Sequence, residues 1–75
     1  MERYRNLHGS SPITRYESGR DYIRVEFNGA TVYLYTYAST GKHHVEQMKR
    51  LAAAGAGLAA YISTHVDKRY ASRTP

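Results

Sequence analysis

The stretch Asp21-Tyr-Ile-Arg-Val-Glu-Phe-Asn-Gly-Ala-Thr-Val-Tyr-Leu-Tyr-Thr-Tyr37 constrains the fold more than any other part of the chain. Two runs of alternating character flank Asn28-Gly29. A type I′ turn needs positive φ at both central residues, which Asn and Gly tolerate best. A β-hairpin is therefore expected, with Phe27 opposite Ala30. That register pairs Val25 with Val32 and Ile23 with Leu34 on one face, because side chains alternate along a strand. The other face then pairs Glu26 with Thr31, Arg24 with Tyr33 and Tyr22 with Tyr35, and Tyr37 extends the row. One face reads as core, the other as a surface of tyrosine and arginine.

The flanking segments fit around this hairpin. Ile13 to Tyr16 reads as a short strand and Glu17 to Asp21 as the turn after it. With Tyr16 facing Tyr22, Ile13 lies beside Val25, and Thr14 and Tyr16 join the tyrosine face. Residues 1–11 show no hydrophobic periodicity, and Gly9-Ser10-Ser11-Pro12 separates them from the first strand, so a flexible N-terminal arm is expected. After Tyr37 the alternation stops, and Ser39 or Thr40 is expected to cap a helix over about His43 to Ala54. Val45, Met48, Leu51 and Ala52 recur on one of its faces. Gly55-Ala-Gly57 ends it, and a second helix is expected over about Leu58 to Arg69, with Leu58, Ile62 and either His65 or Val66 as its stripe. Residues 71–75 read as a C-terminal tail. Strands followed by helices indicate an α+β fold. We expect a three-stranded antiparallel meander followed by two helices packed on one face, in a single domain over residues 12–70. The expected core is Ile13, Ile23, Val25, Phe27, Val32, Leu34, Val45, Met48, Leu51, Leu58, Ile62 and Val66.

Composition narrows the classes of function. The 75 residues contain no cysteine, which removes disulfides, thiolate metal sites and a cysteine nucleophile. No apolar run approaches the length of a membrane span, and the N-terminal residues lack the apolar segment of a signal peptide. A soluble, cytoplasmic protein with no membrane partner is expected. The formal net charge of +5 favours polyanionic partners or acidic protein surfaces.

The tyrosine face is the candidate binding surface. Nucleobases stack on aromatic rings and guanidinium planes, and an open sheet presents such rings at regular spacing. The expected site has Tyr22, Tyr33, Tyr35 and Tyr37 stacking on single-stranded RNA, with Arg24, Arg20 and Arg15, or the Arg3 and Arg5 arm, meeting phosphates. Two other readings stand beside it. Cross-strand aromatic pairs stabilise any exposed sheet, and tyrosine is also enriched at protein–protein and homodimer interfaces.

Other motifs are less informative. His43 and His44 are adjacent, hence about 100° apart on a helix, and do not form a chelate without further ligands. Gly41-Lys42 lacks the glycine and the buried strand of a phosphate-binding loop. Gly55-Ala-Gly57-Leu-Ala-Ala60 follows a helix where a dinucleotide fingerprint follows a strand. No pair of carboxylates and no Ser–His pair is brought together on identifiable elements, so no enzyme, metal or cofactor is expected.

Ser10-Ser11, Ile13, Val25-Glu26-Phe27, Tyr33-Leu34-Tyr35, and the later Gly55, Leu58 and Ile62 give the chain a resemblance to the KTSC domain, over about Ser10 to Tyr70. That small module is found at the C-terminus of some lysyl-tRNA synthetases and alone in small bacterial proteins. The chain departs from the family pattern at Thr36-Tyr37-Ala38-Ser39, where a Val-Pro helix entry is usual, and at Leu58-Ala59, where an aromatic-Asn pair is usual. The resemblance implies an α+β fold, and RNA binding has been suggested for that family from its synthetase fusion.

Overall fold

In the computed structural model, which describes residues 1–75, the hairpin turn forms where its sequence places it. Asn28 and Gly29 take φ of 56° and 69°, and the Ala30 amide donates to the Phe27 carbonyl at 3.1 Å. The ladder does not start at Ala30, however. Phe27 pairs with Thr31, Val25 with Tyr33 and Ile23 with Tyr35. Ala30 is an extra residue between turn and strand, and a slip of one residue turns a whole strand over. Val32 and Leu34 therefore lie on the same face as Arg24 and Glu26, whereas Tyr33 and Tyr35 lie with Ile23 and Val25. The expected register is corrected accordingly. Its physical cause is that both faces of this strand can be buried. Tyrosine has a large apolar body with a polar tip, so its rings can fill the space beneath a helix layer as readily as Val and Leu.

The architecture is α+β. Five antiparallel strands, β1 (Glu2–Arg3), β2 (Ile13–Ser18), β3 (Tyr22–Phe27), β4 (Thr31–Thr36) and β5 (Ser72–Thr74), stand in sequence order across one sheet. The expected meander of β2, β3 and β4 is at its centre, and the segments expected as arm and tail form the two edges. Between β4 and β5 come α1 (Tyr37–Thr40), α2 (Lys42–Ala54), α3 (Leu58–Tyr61) and a π turn over Ile62–Val66. These helices cover one face of the sheet.

The second strand pair is also shifted from expectation. Tyr16 pairs with Val25 and Ile13 with Phe27, with a bulge between Ile13 and Arg15. The extra residue lets both Ile13 and Tyr16 reach the helices, so Tyr16 is core and not part of an open tyrosine face. In the helical half, α2 starts from Gly41 with no side-chain cap, so neither Ser39 nor Thr40 caps it as expected. The side-chain cap belongs to α1, at Thr36. Its hydroxyl accepts from the Ser39 amide at 3.0 Å, and the Ser39 hydroxyl accepts from the Thr36 amide at 3.1 Å. Gly41, at φ 106°, separates α1 from α2. Gly55, at φ 75°, ends α2 with its amide on the Leu51 and Ala52 carbonyls. The expected second helix is one turn of α-helix followed by the wider π turn.

The core joins Ile13, Ile23, Val25, Val45, Met48, Leu58, Ile62 and Val66 to Tyr4, Tyr16, Tyr35 and Ala52. Phe27 and Leu51 pack at its margin. Tyr4 is 3 % exposed, and its hydroxyl accepts from the Leu58 amide at 3.3 Å, supplying a partner at the start of α3. The Arg5 guanidinium donates to the Ala53 carbonyl, and the Leu7 amide donates to Gly55 at 2.8 Å. The N-terminal segment thus straps the junction of α2 and α3.

Candidate functional site

The residues expected to form one tyrosine and arginine row occupy three separate places. Arg15, Tyr22 and Arg24 are on the open face of the sheet. Tyr33 and Tyr35 are on the face turned towards the helices. Tyr37 opens α1 near Arg20: its hydroxyl donates to the Glu46 carboxylate at 2.5 Å, and Lys49 donates to both that carboxylate at 2.9 Å and the Arg20 carbonyl at 3.0 Å. This bond to Glu46 raises the Tyr37 pKa, while Tyr37 and then Lys49 lower that of Glu46.

Most polar groups of the open face are already partnered. Arg15 grips Glu26 with two parallel hydrogen bonds of 2.9 and 2.7 Å, and the Thr14 hydroxyl adds a third at 2.8 Å. Glu26 is consequently 5 % exposed, and the bonds from Arg15 and Thr14 hold its pKa at about 2. Tyr22 donates to Glu17 at 2.7 Å, which raises the Tyr22 pKa. Arg24, beside half-buried Leu34 and Val32, makes no side-chain hydrogen bond across this patch. An uninterrupted stacking row is absent.

Aromatic rings and free cations do converge on the other side, at the end of the sheet that holds the Asn28-Gly29 turn. Tyr33 and Tyr35 present near-parallel rings, 6.4 Å apart at 18°. Tyr70, between the π turn and β5, stands edge-on to both, at 4.9 and 6.4 Å. Phe27 meets Tyr33 edge-on at 5.3 Å. The four rings line a groove of about 600 Å³, walled on its far side by Ile62 and Ser63 of the π turn. Tyr35 is the buried floor, whereas Phe27, Tyr33 and Tyr70 are half-buried and keep ring surface in the groove. Burial first, then Tyr33, Asp67 and Tyr70, raise the Tyr35 pKa, so its hydroxyl stays protonated.

Exposed Lys68 and Arg73 are part of the groove lining, and neither takes part in an ion pair. Arg73 is directly across the β4–β5 ladder from Tyr33, which fixes it on the groove side. Asp67 is the one carboxylate in the lining. The arrangement offers ring surfaces for a planar group, two cations for an anion and one hydrogen-bond acceptor. Sequence reasoning assigned Phe27 to the core and read Lys68, Tyr70 and Arg73 as a helix end and a tail. The available signal was Lys68-Arg69-Tyr70 followed by Arg73, a basic and aromatic cluster of the kind that marks nucleic-acid surfaces.

Three histidines gather where α2 meets the π turn. His44 Nδ1 is 2.7 Å from the Tyr61 hydroxyl, and its ring lies 5.7 Å from His43 and 6.1 Å from His65. His65 in turn lies 4.5 Å from the Tyr61 ring. Desolvation, then Arg69 and the other two histidines, lower the His44 pKa. No group of three or more His, Asp or Glu side chains is arranged to hold a metal ion. No helix is long and apolar enough to cross a membrane. No family model matches the chain, and comparison with curated proteins and with solved structures returns no match.

Proposed function

We propose that this protein is a small non-enzymatic binding module for single-stranded nucleic acid, RNA in the first instance, with the aromatic groove as its binding site. The observation that carries the reading is the convergence of Phe27, Tyr33 and Tyr70 with unpaired Lys68 and Arg73 around one groove. An unstacked base lies against the exposed ring surface of Tyr33 and Tyr70, and its phosphates meet Lys68 and Arg73. Asp67 accepts from amino or imino groups on the base edge. The net charge of +5 draws the strand in. The KTSC resemblance points the same way.

Backbone amide shifts on titration with random-sequence single-stranded RNA, at two salt concentrations, test this. Perturbations are expected at Tyr33, Lys68, Tyr70 and Arg73, with affinity falling steeply as salt rises. Tyr70→Ala is expected to weaken binding by about 1–3 kcal/mol, the usual value of one stacking partner. Shifts confined to the open face, or none, would overturn the assignment. A second reading, protein contact or homodimerisation, is favoured by half-buried Val32 and Leu34 beside unpaired Arg24 on the open face. Concentration-dependent sedimentation that is abolished by Leu34→Lys is the expected result for that reading.

A further inference from the structure

The groove and the histidine cluster are joined by one short piece of chain. Lys68 and Tyr70 line the groove, and Arg69 between them acts on His44 electrostatically. The Arg69 carbonyl accepts from the buried Thr40 hydroxyl at 2.7 Å, and its amide donates to the Val66 carbonyl at 2.9 Å, so this residue is held between the two sites by both flanks. Beyond it lie His65 from the π turn, Tyr61 from α3, and His43 and His44 from α2, with exposed Lys42 next in sequence. A strand leaving the groove towards Arg69 encounters a surface whose charge depends on pH.

Building on the groove reading, we infer that the backbone of a bound single strand continues over Arg69 onto His43, His44 and His65, and that these imidazoles hold phosphate only once protonated. Crowding makes the pH dependence useful. Without a ligand, the neutral ring is favoured at His44, because it is partly desolvated and then because Arg69 and two other histidines lie near it. A phosphate set among the rings reverses that balance, since it attracts each added proton. By linkage, acidification strengthens binding, but only for a ligand long enough to reach the cluster. Tyr61 can serve both states: its hydroxyl donates to neutral His44 Nδ1 and accepts from the protonated ring.

The test compares the dinucleotide UpU with a uridylate hexamer lacking terminal phosphates, at about pH 7.5 and about pH 5.5 and fixed ionic strength. Affinity is read by fluorescence anisotropy, and far-UV circular dichroism is recorded at both pH values. The hexamer is expected to bind roughly threefold to thirtyfold more tightly at the lower pH, with a salt dependence steeper by about one to three phosphate contacts. UpU is expected to change by less than about twofold. His43→Gln with His65→Gln is expected to remove the acid increment, and His8→Gln, outside the cluster, to keep it. Equal responses of UpU and hexamer, no response of the hexamer, or loss of the folded signal at the lower pH would overturn the inference. Binding of both ligands without a length-dependent acid increment leaves the groove reading standing, whereas binding of neither at either pH overturns both.

Discussion

Glu26 sits in the middle of an open sheet face and is nevertheless almost wholly covered, because Arg15 and Thr14 from the neighbouring strand close over its carboxylate. Its ordinary pKa in an unfolded chain is about 4.3. In the folded chain it is about 2. The fold therefore favours the ionised form, and the resulting stability is full above the unfolded value and lost as pH falls towards the folded one. Glu26→Gln is expected to lower stability at neutral pH and to flatten its decline across that acid window, measured by urea unfolding at stepped pH. Gly19 gives a second residue-level test. A Cβ there would lie 2.0 Å from a ring carbon of Tyr22, so the ring occupies space that only glycine leaves. Gly19→Ala is expected to cost about 1–3 kcal/mol. Tyr22→Ala in the same chain is expected to recover part of that loss in a double-mutant cycle. The sequence marked Tyr22 as exposed from the alternation of its strand and Arg15 only as a cation suited to phosphate. It could not show that each already has a carboxylate partner, because those partners are set by cross-strand register.

The elements show which parts of the fold were legible. The Asn28-Gly29 turn, β3 and α2 were all readable, each from strong local chemistry: positive φ, alternation, and an apolar stripe ended by Gly55. The register of β4 was not. One extra residue, Ala30, decides which side of the strand meets the helices, and an aliphatic and an aromatic face are both buriable. Binary pattern settles register only where one face is plainly polar. The edge strands were missed for another reason. Two or three exposed residues show no periodicity, and their pairing follows from contacts remote in sequence. Tyr4 is the clearest case, a single buried ring that ties the N-terminal segment to α3. Tyr4→Ala is expected to destabilise by about 3–5 kcal/mol, as for other large core aromatics, and thermal unfolding would reveal it. A change near zero would mean that the strap is dispensable.

At the scale of the whole molecule, the candidate site divides in the same way. Tyr33 and Tyr35 were recognised as candidates from their type and spacing. Their partners Tyr70, Lys68 and Arg73 reach them only because the chain returns after three α-helices and the π turn to add β5 beside β4. That return is a long closure, and each β5 residue is exposed, so this edge has little burial to hold it. β3, by contrast, is laddered on both sides and carries fully buried Ile23 and Val25. Amide hydrogen exchange is accordingly expected to be slowest in β3 and fastest in β5, with a nucleic-acid ligand slowing β5 selectively. One wall of the groove would then be assembled last and released first. A guest held between Tyr33 and Arg73 would in effect clasp the final strand shut, its residence time limited by how often that strand peels away.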